Sequence, residues 1–348
     1  MPALGARYRR ALDSLRTVEH RRLGRSGLRV SRIALGTMTW GRDTDQHEAR
    51  DQLEAFVEAG GTLVDTAASY GNGQSERVLG DLLETVMPRA EVVVATKAGV
   101  SRTTGRRVVD LSRKALLDQL DASLDRLDTD YVDIWQVHTW SDDVPPDETL
   151  AALDHAVATS RTRYVGISNY GGWQTGWSAS HQASAPGRAP LVATQMEYSL
   201  LQRGIEREVL PAAGSLGLGV LAWSPLGRGV LTGKYRNGTP ADSRAASPHF
   251  SGFVDVYLDQ RSHRIVEAVC TAAEGLGVQP LEVALTWVRD RPGVTAAIVG
   301  ARTAPQLRGI LTSESLTLPE EITAALDEVS APAVGYPERL TQPSDRRE

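Results

Sequence analysis

"VVVATK", residues 92–97, and "YVDIWQVH", residues 131–138, enclose the unit whose reading decides the fold. Both are short apolar runs bounded by polar segments, the pattern of strands buried on both faces. Between them Ser112 stands as an N-cap, and Leu116, Leu120, Leu124 and Leu127 fall on one helical stripe. Strand, helix and strand in that order make a βαβ unit. The same rhythm extends outward, through "RIALGT" (32–37) and "TLVDTA" (62–67) before it. After it come "YVGIS" (164–168), "LVATQ" (191–195), "GVLAWS" (219–224) and "VTAAIVG" (294–300). Further helical spacing occupies 46–59, 75–86, 147–159 and 206–216. Eight such units predict an α/β protein built as a closed (β/α)8 TIM barrel. The alternative is an open doubly wound sheet, which often has a glycine-rich first turn, whereas the first strand here runs into "GTMTWG".

Outside the barrel, "EHRRLGRSGLRVS" turns around Gly24 and Gly27 and predicts an N-terminal β-hairpin. The chain then divides into an N-terminal extension (1–18), the barrel (19–331) and a polar C-terminal tail (332–348). The stretch 236–261 lacks periodicity and follows the seventh strand, so it is expected to form a long loop over the catalytic face.

Composition narrows the function classes. Among 348 residues, 41% are hydrophobic and 23% charged, an ordinary globular mixture. With 38 Lys and Arg against 43 Asp and Glu, the net charge of −5 offers no broad basic face for nucleic acid or an anionic membrane. The single cysteine, Cys270, excludes an internal disulfide framework and a cysteine-based zinc site. The N-terminus is basic without an apolar core, which predicts a cytoplasmic protein rather than a secreted one, and the Asn237-Gly238-Thr239 sequon is read as chance.

In this barrel type the strand C-termini form the active face. Read in order they present Asp65, Lys97, His138, Ser168-Asn169, Gln195, Trp223-Ser224 and Gly300, with Tyr70 just beyond the second strand. Alone, each residue has a blander explanation: a structural ion pair for Asp65 or Lys97, a satisfied core group for His138, a surface turn for Tyr70. Their coincidence on one face favours chemistry. Asp65 and Lys97 are natural ion-pair partners, and a lysine beside Tyr70 is expected to lower the phenol pKa. Tyr70 would then protonate a substrate oxygen that His138 orients. Such a site needs a hydride from elsewhere.

The strings "DTAASYGNGQSERVLG", "VVVATKAG", "GISNY", "QMEYSLLQR" and "LAWSPLGRGVLTGKY", in this order and spacing, resemble the aldo-keto reductases, and the bacterial and potassium-channel-β-subunit-like branch above all. The resemblance runs from "LGRSGLRVSRIALGTMTWG" to "IVGARTAPQL". It implies an NADPH-dependent oxidoreductase acting on a small carbonyl substrate, with Asp65, Tyr70, Lys97 and His138 as catalytic tetrad. It further implies that Ser168, Asn169 and Gln195 hold the carboxamide, that Trp223 stacks on the nicotinamide, and that Thr37, Met38 and Trp40 edge the pocket. Ser224, Pro225, Leu226, Arg228 and Gly229 would line the pyrophosphate, and Lys234 and Arg244 would clamp the phosphates. Gly300, Arg302 and Gln306 would receive the adenosine end, with Arg302 suited to a 2′-phosphate. Two departures stand out: Arg308-Gly309-Ile310 replaces an acidic-asparagine pair near the adenine, and His138-Thr139-Trp140-Ser141 replaces a His-Arg-x-Asp pattern, making Trp140 a pocket wall.

Other motifs are weaker. "GRGVLTGKY" lacks P-loop spacing and has Tyr235 where Ser or Thr is needed, and the glycines of "GSLGLGVLAWS" lead into a strand instead of out of one. The functional alternatives are a nicotinamide-binding regulatory subunit, a specialised nucleotide-sugar or polyketide ketone reductase, and a Schiff-base aldolase using Lys97.

Overall fold

The computed structural model describes residues 18–102, 104–240, 244–246, 251–333, 335–337 and 339. The predicted N-terminal extension, apart from Val18, and most of the predicted tail lie outside these residues. Two short antiparallel strands, β1 (His20–Arg22) and β2 (Arg29–Ser31), form the expected hairpin. The barrel strands follow: β3 (Ile33–Gly36), β4 (Leu63–Asp65), β5 (Val93–Ala98), β8 (Val132–Val137), β9 (Thr162–Ser168), β10 (Leu191–Glu197), β11 (Gly219–Trp223) and β12 (Val294–Val299). Each is parallel to its neighbours, and β12 returns to β3 to close the barrel. Between β5 and β8 a second small hairpin, β6 (Val100–Ser101) with β7 (Val108–Val109), rises from the end of β5.

The helix over Arg113–Leu127 begins where the sequence places it, with the Ser112 hydroxyl accepting the Ala115 N–H at 3.3 Å. Two other helices are shorter than predicted. The segment expected over 75–86 is helical only from Gln74 to Leu82, because Leu83 is extended and Glu84 turns left-handed at φ 63°. The segment expected over 206–216 is a 3-10 turn at Gly204–Glu206 followed by a helix from Val209. Pro211 explains the late start, since proline fits only the first turn of a helix. The helix Gly172–Ala183 carries no apolar stripe: its buried residues include Thr175, Ser178 and Gln182, so periodicity does not reveal it.

Two layers of core hold the barrel. The outer layer packs strands against the surrounding helices. The inner layer fills the barrel with Leu63, Ile134, Leu221 and Ile298, and Leu23 and Val30 of the hairpin join it as a plug. Both plug residues are fully buried. They enter beside the starts of β10, β11 and β12, so the hairpin closes the N-terminal end and leaves the opposite mouth open.

Gly24 makes this fit possible. It turns left-handed at φ 57°, and a Cβ there would lie 2.4 Å from the Gly217 oxygen and 2.7 Å from the Gly219 nitrogen. Both obstacles are backbone and cannot rotate away. Gly24→Ala is expected to destabilise the fold by about 2–4 kcal/mol, from positive-φ strain and overpacking together. Equilibrium denaturant unfolding measures this; an unchanged midpoint would remove the plug from its structural role.

Candidate active site

The site is built on an ion pair at the open mouth. Asp65 ends β4 and Lys97 lies on the adjacent β5, both nearly inaccessible to solvent. Lys97 Nζ donates to Asp65 Oδ2 at 2.7 Å and to the Thr66 carbonyl at 2.9 Å. Gln195 Nε2, reaching across from β10, donates to Asp65 Oδ1 at 2.8 Å. Both carboxylate oxygens are thus engaged, as a buried charge requires. This is the ion pair expected from the sequence.

Tyr70 opens a 3-10 turn over Tyr70–Gly73, in which Gly71 and Asn72 are both left-handed (φ 56° and 54°). The turn returns the tyrosine over the ion pair, with Lys97 Nζ 5.1 Å from its ring centroid. His138 follows β8; its N–H bonds the Ala98 carbonyl at 2.9 Å, and its ring meets Tyr70 edge-on with centroids 6.0 Å apart. The four side chains therefore converge.

Their ionisation corrects one sequence expectation. The Tyr70 phenol pKa is raised, not lowered: burial outweighs the opposing charge of Lys97, and Asp65 adds to the rise. Burial works against the Lys97 ammonium, yet Asp65 and Tyr70 carry its pKa above the ordinary lysine value. A lysine held charged in this way is not the free amine that a Schiff-base nucleophile needs. Burial, then the charges of Lys97, Arg107 and Arg102, push His138 down to about 3. At neutral pH the site holds a neutral phenol, a neutral imidazole and a paired ammonium.

Around this centre, Ser168 Oγ donates to the Gln195 carbonyl at 3.0 Å, while Asn169 Nδ2 donates to the His138 carbonyl at 3.0 Å. Asn169 Oδ1 accepts the Trp223 indole N–H at 3.1 Å, which holds the partly exposed ring at the end of β11. Beyond Trp223 the chain curls through Ser224, Gly227, Arg228 and Gly229, all left-handed, with φ between 53° and 94°. Turns of this kind can aim backbone N–H groups into an anion-binding concavity, although here those of Gly227 and Gly229 bond the Ser224 and Leu226 carbonyls. A Cβ on Gly229 would approach Lys234 Nζ to 3.3 Å, so the glycine leaves the ammonium access to the loop.

Arg228 itself is held elsewhere. It binds Glu197 through Nε at 2.8 Å and Nη2 at 2.6 Å, donates Nη1 to the Phe253 carbonyl, and sits 3.9 Å over the Phe253 ring. Tyr257 also donates to Glu197, at 2.9 Å. The side chain fastens the loop to β10, which leaves only the backbone of Arg228 for the pyrophosphate role expected of it. Sequence reasoning did not single out Glu197, Phe253 or Tyr257, because they come together only through the long connection after β11. That connection includes the predicted loop and a short helix at Ser251–Asp255.

Gly300 and Arg302 follow β12, and the Arg302 N–H bonds Gln306 Oε1 at 3.0 Å, at the start of the helix Ala304–Leu311. The side chain of Arg244 lies outside the described residues. Thr37 is fully buried, its hydroxyl 2.6 Å from Ser75 Oγ, and Met38 is partly buried beside it. Trp40 is a correction: it has no accessible surface and donates its indole N–H to Gln52 at 3.1 Å, so it packs in the core instead of edging the pocket. Trp140 is half-buried, tied to Asp142 at 2.7 Å and packed edge-on against Tyr170 and Trp173. Next to it a cleft of about 430 Å³ opens between Asn169, Tyr170, Met196, Ile205 and Trp223.

The depressed His138 pKa has a thermodynamic consequence. Between pH about 3 and 6.5 the unfolded chain binds a proton there that the folded protein refuses, so stability falls as pH drops through that window. The folded imidazole is expected to show no titration between pH 5 and 8 by NMR, and His138→Gln to flatten the acid limb of the stability profile. A ring that titrates near 6.5 would contradict this placement.

The aldo/keto reductase family model matches residues 32–331. An uncharacterized oxidoreductase, YrpG, of Bacillus subtilis (strain 168) is 36% identical over 90% of this chain and 96% of its own length. A probable voltage-gated potassium channel subunit beta of Oryza sativa subsp. japonica is 36% identical over 83% of this chain and 89% of its own. The L-glyceraldehyde 3-phosphate reductase of Escherichia coli O157:H7 is 32% identical over 89% and 92%. Among the described residues no helix is long and apolar enough to cross a membrane. A closed parallel barrel with a buried Asp–Lys pair at its mouth, and likeness along almost its whole length, make this chain a member of the aldo/keto reductase family.

Proposed function

We propose that the protein is an NADPH-dependent reductase of aldehydes or ketones, with Tyr70 as the proton donor. One observation carries the reading: Tyr70 and His138, both neutral at pH 7, flank an ammonium that Asp65 keeps charged. A neutral phenol and a neutral imidazole are both hydrogen-bond donors to a carbonyl oxygen. As Tyr70 gives up its proton, the Lys97 charge beside its ring stabilises the phenolate, and Asp65 keeps that lysine protonated and fixed. Proton transfer from an uncharged donor suits the direction of reduction.

The residues present suit a dinucleotide. Trp223 offers a flat, partly exposed ring, and aromatic faces stack well on planar heterocycles. The left-handed run after it, with Lys234 alongside, suits a pyrophosphate, and Arg302 suits the 2′-phosphate that separates NADPH from NADH. When bound, NADPH supplies the hydride. Ser168, Asn169 and Gln195 are the candidates for its carboxamide, each already hydrogen-bonded within the site.

Tyr70→Phe is expected to retain NADPH binding and to lose two or more orders of magnitude in kcat, on the scale of lost general-acid catalysis. NADPH fluorescence titration and steady-state oxidation with reactive aldehydes separate the two; wild-type kcat in the variant would remove Tyr70 from the chemistry. Arg302→Ala should weaken NADPH at least about tenfold more than NADH, a direct comparison of dissociation constants. The family also holds channel-subunit relatives, and tight NADPH binding without turnover on any carbonyl would favour a regulatory subunit instead.

A further inference from the structure

The hairpin β6–β7 stands over the active site and carries three arginines, Arg102, Arg106 and Arg107, within six residues. Its root is joined to the catalytic centre. Lys97 is three residues upstream of Val100, and the His138 N–H bonds the Ala98 carbonyl at 2.9 Å. The Asp110 N–H bonds the Gly99 carbonyl at 3.1 Å and closes the hairpin base.

The register pairs Val100 with Val109 and Ser101 with Val108. Arg102 directly follows the last pair on one strand, and Arg107 directly precedes it on the other. These two share the face of Val100, which is buried, and of Val109, which is half-buried, because alternate residues of a strand point to one side. Val100 and Val109 pack that face onto the protein at its root, while Arg102 and Arg107 beyond them stay exposed. The Gly105 N–H bonds the Arg102 carbonyl at 2.9 Å and turns the chain at that point.

Like charges at the adjoining ends of two paired strands repel. Among the described residues, no ion pair to Arg102, Arg106 or Arg107 relieves this. Other arginines around the barrel are paired, among them Arg126 with Glu76, Arg228 with Glu197 and Arg89 with Asp133. Structure alone gives no reason to gather three exposed cations here, in a chain with a net charge of −5. The charges of Arg102 and Arg107 reach His138, the group that orients the carbonyl in the proposed reaction.

We infer that the β6–β7 hairpin is a substrate-selecting element whose Arg102 and Arg107 bind an anionic group, a phosphate or a carboxylate, on the carbonyl substrate. Guanidinium groups form short, charge-assisted pairs with both. An anion between them would relieve their repulsion and fix the far end of the substrate while its carbonyl meets Tyr70 and His138. The inference deepens the reductase reading and rests on it.

Matched carbonyl pairs test it: succinic semialdehyde against butanal for the carboxylate, and glyceraldehyde 3-phosphate against glyceraldehyde for the phosphate. NADPH oxidation by the full chain is expected to favour at least one charged member by about tenfold or more in kcat/KM, and that preference should shrink as ionic strength rises. In the double variant R102Q/R107Q the ratio should fall toward one, with the loss in KM for the charged member and not in kcat. The pair that shows the preference identifies the anion. Equal kcat/KM within both pairs, or a preference that survives the double variant, would overturn the inference while the reductase reading stands. No oxidation with any of the four compounds would sink both.

Discussion

The buried pair of Asp65 and Lys97 is the constraint on which the site depends. Removing two ions from water costs several kcal/mol each, and their attraction compensates only when the remaining hydrogen-bonding capacity is used. Here it is: Thr66 takes a second lysine proton, and Gln195 occupies the second carboxylate oxygen. The arrangement joins β4, β5 and β10, so the charge at the centre is tied to opposite walls of the barrel. Burial sets the ionisation of Tyr70 and His138, and the pair adjusts it. The ammonium helps hold His138 neutral and moderates the rise that burial imposes on Tyr70.

Stability and chemistry are separated along the barrel axis, as this architecture allows. At one end Leu23, Gly24 and Val30 seal the interior with a hairpin that fits only because Gly24 has no side chain. At the other, the strand ends carry polar groups, and loops supply what the strands cannot. Glu197 shows how the two kinds of element cooperate. It sits at the end of β10 but spends its charge on Arg228 and accepts from Tyr257, which anchors the left-handed loop after β11. A loop fastened in this way loses less ordering entropy on binding a ligand than a mobile one.

The aromatic residues divide by the same logic. Trp40, Trp140 and Trp223 all lie near strand ends in sequence, yet each has a different task. Trp40 is sealed in the core by Gln52, Trp140 is fastened by Asp142 into an aromatic cluster at the rim, and Trp223 keeps part of its ring open beside Asn169. Position in sequence does not distinguish them; the direction of each side chain and its indole partner do.

Sequence alone determined the barrel, since eight apolar runs separated by amphipathic helices have few other ways to bury both faces of every strand. It also determined the face that carries Asp65, Lys97 and His138, because the polar residue closing each apolar run marks the strand's C-terminal end. The pattern failed where helices bury small polar residues, as in Gly172–Ala183, and where Pro211 and Glu84 end or delay a helix. Only the tertiary structure decided the sign of the Tyr70 shift, the engagement of Gln195 with Asp65, and the capture of Arg228 by Glu197. The reason is physical: periodicity is a property of neighbours along the chain, whereas desolvation and ion pairing are set by groups far apart in sequence. Asp65 and Gln195, 130 residues apart, are such a pair.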